Sequence, residues 1–441
     1  MTSFIEIPDR DRFVLRNATI PACLIDGLPP ASPIDADGLF HTDLSVDNGR
    51  ISGISPVGQD DSSISEVDLD GSMVWPCFVD VHTHIDKGHI WPRQRNPNGT
   101  RAGALSSTGA DRAANWTAED VRARMNFSLE SAYAHGTAAI RTHLDSTPPQ
   151  HKITWPVVSE LRDTWAGRID LQAVCLEPIW GYADRGFGVE IADMMVEHGG
   201  IMGAVLNVQD DTDALLDFVI GLAIDRGLEL DFHVDEMNDP AANSFDHIAE
   251  ALIRNDFGKP VNVGHCCSLA IRPQAEIDHA LDLAVKANMR VTSLPMCNMY
   301  LQDRPEPGAP PRTPRWRGVT ILHEMKARGI PVAISSDNTR DPFYAYGDLD
   351  GAEVFTQAVR IAHLDHPVGD WPAAITRTPA DTMGLPDTGR LKQGGPADMV
   401  IFSARSYSEF LSRPQHDRAV MRAGEAIDTT PPDYRTLDGR Y

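Results

Sequence analysis

Short apolar runs recur along the middle of the chain, each closing in polar or ionisable residues and each followed by a stretch of helical periodicity. The runs fall at 77–84, 137–143, 170–177, 201–208, 228–235, 261–266, 289–296 and 331–337. Helical patterns cover Thr117 to Ala134 and residues near 154–166, 188–199, 212–226, 243–255, 273–287, 317–328 and 350–363. Thr117 with Asp120 reads as a capping box at the start of the first. Strand-then-helix units in unbroken succession predict an α/β protein built as a closed (β/α)8 TIM-type barrel rather than an open doubly wound sheet.

The two ends have a different texture. "FVLRNATIP", "DLSVDNGRISGI" and "SEVDLDGSMVWP" near the start, and "GRLKQGGPADMVIFSA" and "RAVMRAGEAI" near the end, read as short strands and turns. "DNGRI" is a hairpin signal. These segments predict a small β-sandwich domain formed by residues 1–70 and 390–441, around a catalytic barrel over 71–389. The Pro-rich "RPEPGAPPRTPRWRG" (304–318) follows the seventh strand and reads as a rigid loop on the active-site face.

Composition narrows the function. Acidic residues outnumber basic ones 63 to 39, a net charge of −24. That balance opposes nucleic acid and acidic membrane surfaces as partners. There is no transmembrane-length apolar stretch, and "MTSFIEIPDRDRF" is no signal peptide, so a cytoplasmic location is expected. The six cysteines form no C-x-x-C pair, which argues for free buried thiols. No G-x-G-x-x-G or Walker A sequence supports nucleotide binding. A homo-oligomer is left open.

Barrel active sites sit at the C-terminal ends of the strands, and those ends here are rich in chemistry. The first ends His82-Thr83-His84, the second His143-Leu144-Asp145, the third Glu177, the fifth "DFHVDE", the sixth "VGHCC" and the eighth "ISSDN". Residues i and i+2 of a strand share a side, so His82 and His84 can aim two imidazoles at one point. His233 and Asp337 from other strands complete a nitrogen-rich site with room for water. Such a set suits Zn²⁺ or Fe²⁺ better than Mg²⁺ or Ca²⁺.

The stretches "DVHTHID", "RTHLDSTPP", "DFHVDE", "VNVGHCC", "NMYLQDR", "RGVTILHEMKARGI" and "SSDNTRDPFYAYGD", in that order, resemble the amidohydrolase superfamily, and within it the cytosine deaminase-like group. The resemblance implies a metal-dependent deaminase that hydrolyses an exocyclic amino group from an N-heterocycle. It implies His82, His84, His233 and Asp337 as metal ligands, with Asp337 also taking a proton from the attacking water. It implies Glu236 as proton carrier and His265 as the residue that orients that water. Family members with two metals bridge them from the end of strand three or four. Strand four, "IMGAVLNVQD", has no Lys or Glu, and Glu177 at the end of strand three leaves a two-metal alternative, so one divalent transition metal per chain is the expectation.

Three positions depart from the family pattern. Glu177 stands near the family's cytosine-reading Gln, Asn338 replaces a second Asp, and Phe343 replaces a Trp. Glu177 can accept two N–H bonds from an amino-amidine edge, which points to a pterin or related 2-amino-4-oxo ring. Trp91 reads either as a pocket wall or as packing. Lys87 and Arg93 read either as a seat for an anionic substituent or as an offset to local acidic charge. The alternatives are a cytosine or isoguanine deaminase, an aminotriazine hydrolase, or a cyclic-amide hydrolase; a non-enzymatic barrel would be expected to have lost part of the metal set.

Overall fold

The computed structural model describes residues 4–29, 32–58, 65–305 and 308–440. Residues 306 and 307 of the Pro-rich segment, and parts of the expected terminal domain, lie outside them. Eight strands build the barrel: β1 (Phe78–Thr83), β2 (Thr137–Asp145), β3 (Asp170–Leu176), β4 (Met202–Leu206), β5 (Leu230–Val234), β6 (Val261–His265), β7 (Met289–Ser293) and β8 (Val332–Ile334). β1, β2 and β3 pair in parallel, and so do β4 through β8. Isolated parallel bridges join the two groups into a closed ring. Val174 and Pro178 meet Ile201 and Val205 on one side, and Thr83 meets Asp337 on the other. At that second seam the Asp337 amide donates to the His82 carbonyl at 3.0 Å, which fixes Asp337 beside the histidine pair.

Both termini contribute to one eight-stranded sheet outside the barrel. Its hairpin turns at Asn48-Gly49, pairing Asp47 with Arg50. Met73–Pro76 belongs to this sheet, past residue 70, and pairs with Met399–Phe402. Alternation along these strands does two jobs. Val74, Met399 and Ile401 pack with Phe13, Leu15 and Leu44 in a core of the small domain. Trp75, Val400 and Phe402 face the other way, into the barrel's core. The final turn, Tyr434–Arg440, lies back on the barrel: the Arg440 carbonyl accepts from Arg93 at 2.9 Å.

Three local outcomes differ from the sequence expectation. The apolar run at 289–296 stops as a strand at Ser293, because Pro295 opens a helix over Pro295–Leu301. The capping box at Thr117 is half made. Its hydroxyl accepts from the Asp120 amide at 3.2 Å, while the Asp120 carboxylate is taken by Arg93 and Arg124 instead. A helix over Arg101–Asn115, absent from the periodicity, stands in the loop after β1, with the Thr100 hydroxyl accepting from the Gly103 amide at 3.0 Å. Among the described residues, no helix is long and apolar enough to cross a membrane.

Candidate active site

Three buried imidazoles converge at the C-terminal mouth of the barrel. His233 Nε2 lies 3.0 Å from His82 Nε2 and 3.1 Å from His84 Nε2. Asp337 Oδ1 is 3.3 Å from His84 Nε2 and 3.7 Å from His82 Nε2. Gly264 makes this packing feasible, since a Cβ there would come 2.6 Å from the His82 ring. Asp337 and His265 both hold φ in the left-handed region, 66° and 73°. Non-glycine residues in that region are uncommon and cluster at functional sites.

The donor set fits a divalent metal. Four-coordinate Zn²⁺ with bonds of about 2.0–2.1 Å places its nitrogen ligands about 3.3 Å apart; the spacings here are close to that. Burial, and then the neighbouring imidazoles and Lys87, hold His82 and His84 well below their ordinary pKa, and His233 is lowered in the same way by burial and its neighbouring histidines. The rings are therefore neutral, with lone pairs to give. Burial and the Glu236 charge push Asp337 well above the carboxylate range, and neither of its oxygens has a hydrogen-bond partner. Three lone pairs and an unpaired carboxylate aimed at one point are satisfied together by a cation.

A fourth imidazole, His143, closes the cluster, with its ring centroid 4.1 Å from that of His82 and 4.6 Å from that of His233. Its Nε2 is 3.3 Å from Asp231 Oδ1, a carboxylate pinned by Asn262 and Arg141. The sequence put His143 at a strand end, but nothing in its spacing assigned it a role.

A cavity of about 240 Å³ opens onto the cluster. Among its lining residues are His84, His233, Asp337, Glu236, His265, Asn338, Phe343, Lys87, Arg101, Arg112, Trp180 and Asn207. Glu236 Oε2 accepts from Arg101 Nε at 2.8 Å, and its Oε1 lies 3.5 Å from Asn298 Nδ2 and 3.7 Å from His265 Nδ1. Burial pushes this carboxyl up, but His265 and Arg101 outweigh it and hold it below the usual range. Asn298 donates to His265 Nδ1 at 2.9 Å, so the neutral ring carries its proton on Nε2, which is buried without a protein partner. Burial keeps His265 below its ordinary value.

The substrate-side expectations separate. Asn338 and Phe343 line the cavity, but both arms of Asn338 are engaged: Nδ2 donates to Asp341 at 2.7 Å and Oδ1 faces Cys297 Sγ at 3.6 Å. Glu177 itself does not line the cavity, although its neighbours Leu176 and Pro178 and its partner Thr147 do, and its Oε2 accepts from Thr147 at 2.8 Å. Its Oε1 fills the space a Cβ on Gly181 would take. Burial raises its carboxyl to about 7, so it is only partly ionised at neutral pH and not the fixed acceptor that its residue type suggests. Trp91 is half-buried and does not line the cavity; nor do the described residues of 304–318. Arg93 is locked between Asp111 and Asp120, which answers the open choice in favour of charge pairing. Lys87 lines the cavity but is held by Asp145 at 2.7 Å. Arg101, Arg112 and Trp180 carried no sequence signal, because the helix and loop that bring them here are silent in the hydrophobic pattern.

A parallel barrel with a buried histidine-carboxylate cluster able to hold a metal at its mouth, and a further carboxylate beside it, is the architecture of a hydrolytic enzyme. Residues 196–427 match the model of the amidohydrolase family. The chain is 51% identical over 436 residues to a pterin deaminase of Rhizobium rhizogenes (strain K84), covering 99% of this chain and 98% of that one. It is 25% identical to N-isopropylammelide isopropyl amidohydrolase of Pseudomonas sp. (strain ADP), over 77% of this chain and 82% of that one. In fold it resembles 5-methylcytosine deaminase from Klebsiella pneumoniae, with a TM-score of 0.78 at 23% identity over 94% and 97% of the two chains. The chain belongs to the amidohydrolase family and is a hydrolytic enzyme.

Proposed function

We propose that this chain is a cytoplasmic pterin deaminase that works with one divalent transition metal, Zn²⁺ or Fe²⁺, held by His82, His84, His233 and Asp337. The observation that carries the reading is the Glu236 carboxylate, which shares one small cavity with His84, His233 and Asp337 of that donor set. The full-length identity to a pterin deaminase supports the substrate class. In the reaction, water adds to the ring carbon that bears the amino group, the carbon–nitrogen bond breaks, and ammonia leaves from an oxo product.

A divalent metal in this site supplies a nucleophilic water at neutral pH. The chain's own residues do the rest. Glu236 starts as a carboxylate and passes protons drawn from the attacking water to a ring nitrogen and then to the departing amine, while Asp337 serves as a second acceptor for a proton of that water. A group in this role is worth about 10²–10⁴ in rate. His265, with its proton on Nε2, donates to the water and orients it. Glu177, when ionised, accepts from the N3–H and amino N–H of the ring, and Phe343 and Trp180 offer it flat walls. β4 carries no Lys or carboxylate to bridge a second ion, which supports a single metal. The partner is the small heterocycle; the charge of −24 argues against polyanions.

The test is ammonia release by chain loaded separately with Zn²⁺, Fe²⁺ and Mn²⁺, offered pterin, cytosine, isoguanine and an aminotriazine. Pterin should give the highest kcat/KM. A preference for cytosine or the triazine over every bicyclic ring contradicts the reading.

A further inference from the structure

Arg101 occupies an unfavourable place for a cation. It is the first residue of its helix, where the backbone dipole is positive, and no acidic residue shares that turn. A charge of that sign there works against the helix. The helix nevertheless turns Arg101, Leu105, Thr108 and Arg112 onto the cavity as one face, at steps of four, three and four residues. Arg101 spends only Nε on protein, in its 2.8 Å bond to Glu236 Oε2. Among the described residues, Nη1 and Nη2 have no partner, and the side chain is 26% exposed within the cavity.

We propose that Arg101 and Glu236 act as one recognition unit for a bicyclic ring, Glu236 addressing N1 and Arg101 donating an Nη hydrogen to N8. This rests on the pterin reading above. In the 2-amino-4-oxo-3H form, N1 is the unprotonated nitrogen beside C2, and so the nitrogen that Glu236 must protonate. N1 and N8 are both bonded to the carbon at the ring junction, and their lone pairs point the same way, side by side. A guanidinium bonded to a carboxyl group through Nε presents its Nη hydrogens beside that group's oxygens. Two groups presented side by side suit two acceptors that lie side by side. N3–H and the amino group then lie on the opposite side of C2, where Glu177 can accept from them.

The experiment compares pterin with 8-deazapterin, in which N8 is a carbon. The readout is the ratio of their kcat/KM values in wild type, Arg101→Met and Arg101→Lys. Because it is a ratio on one enzyme preparation, it does not depend on the fraction of chain that is folded and loaded. A hydrogen bond from a charged donor to an acceptor in a closed site is worth about 10- to 100-fold. Wild type should prefer pterin by a factor of that order over the variants' ratio, and both variants should lose the preference: Met has no donor, and Lys cannot serve Glu236 and the ring in the same geometry. An unchanged ratio in both variants, with pterin turned over, overturns this inference and leaves the pterin reading standing. No pterin turnover by the metal-loaded wild type overturns both.

Discussion

Replacing Glu177 by Gln should make the protein more stable in mildly alkaline solution and change little in acid. Glu177 is 4% exposed, and burial lifts its carboxyl from the ordinary 4.5 to about 7. The folded chain therefore holds this proton more tightly than the unfolded chain. Between those two values the unfolded state has already released the proton while the folded state keeps it, so stability falls as pH rises and levels off above about 7. At 1.36 kcal/mol per pKa unit, the full penalty is about 3 kcal/mol. Gln keeps the shape and can still accept from Thr147, and it carries no such penalty. The assay is the difference in melting temperature between variant and wild type, read at about pH 5 and about pH 8.5, on either side of the titration. The variant should gain stability on wild type only at the higher pH. A difference that is flat across pH, or that favours wild type in alkali, would refute the premise that burial governs Glu177. The same ionisation should appear in activity. The kcat/KM for pterin should fall as pH drops through about 7 in wild type, and Glu177→Gln should lower it in alkali while removing that limb.

The other expectations are more compact. Glu236→Gln should keep its metal but lose about 10²–10⁴ in kcat, because an amide cannot carry a proton; near-normal turnover would exclude Glu236 as the carrier. Metal analysis of the purified chain should find about one transition-metal equivalent, and His233→Ala should lower that content sharply; two equivalents in wild type would contradict the single-ion reading. Thr100→Ala removes the cap of the Arg101–Asn115 helix and should cost about 1 kcal/mol of stability in a denaturant titration. An unchanged midpoint would mean that tertiary contacts alone hold that helix.

The barrel was legible because each strand couples an apolar run to a polar end, a pattern that survives without any knowledge of neighbours. The convergence of His82, His84, His233 and Asp337 was legible for the same reason: the first two sit two apart on one strand, and the others sit at the ends of other strands. What stayed hidden came from elements without that pattern. The Arg101–Asn115 helix contains Gly103, Ser106, Ser107, Thr108 and Gly109, which are poor helix formers, and Leu105 is its single large apolar residue. It is held instead by its Thr100 cap and by Arg112 and Asp111, which pair with Asp145 and Arg93. Arg101 meets Glu236 across 135 residues of sequence, so no local reading could join them. Trp91 drew notice as an aromatic near the histidines, yet the chain turns it away from the cavity, its amide donating to the Arg340 carbonyl at 2.8 Å. Residue type alone also gives no charge state for Glu177, whose carboxyl is raised by burial that only the folded chain reveals.

Removal of an amino group from an intact ring is the chemistry proposed for this cavity. The most direct measurement is mass spectrometry of the product formed from pterin by metal-loaded chain in heavy-oxygen water, with ammonia counted in parallel. One heavy oxygen should enter the ring product for each ammonia released, and no product should form when the chain has been stripped of metal. A ring-opened acid, or heavy-oxygen incorporation without ammonia, would contradict it.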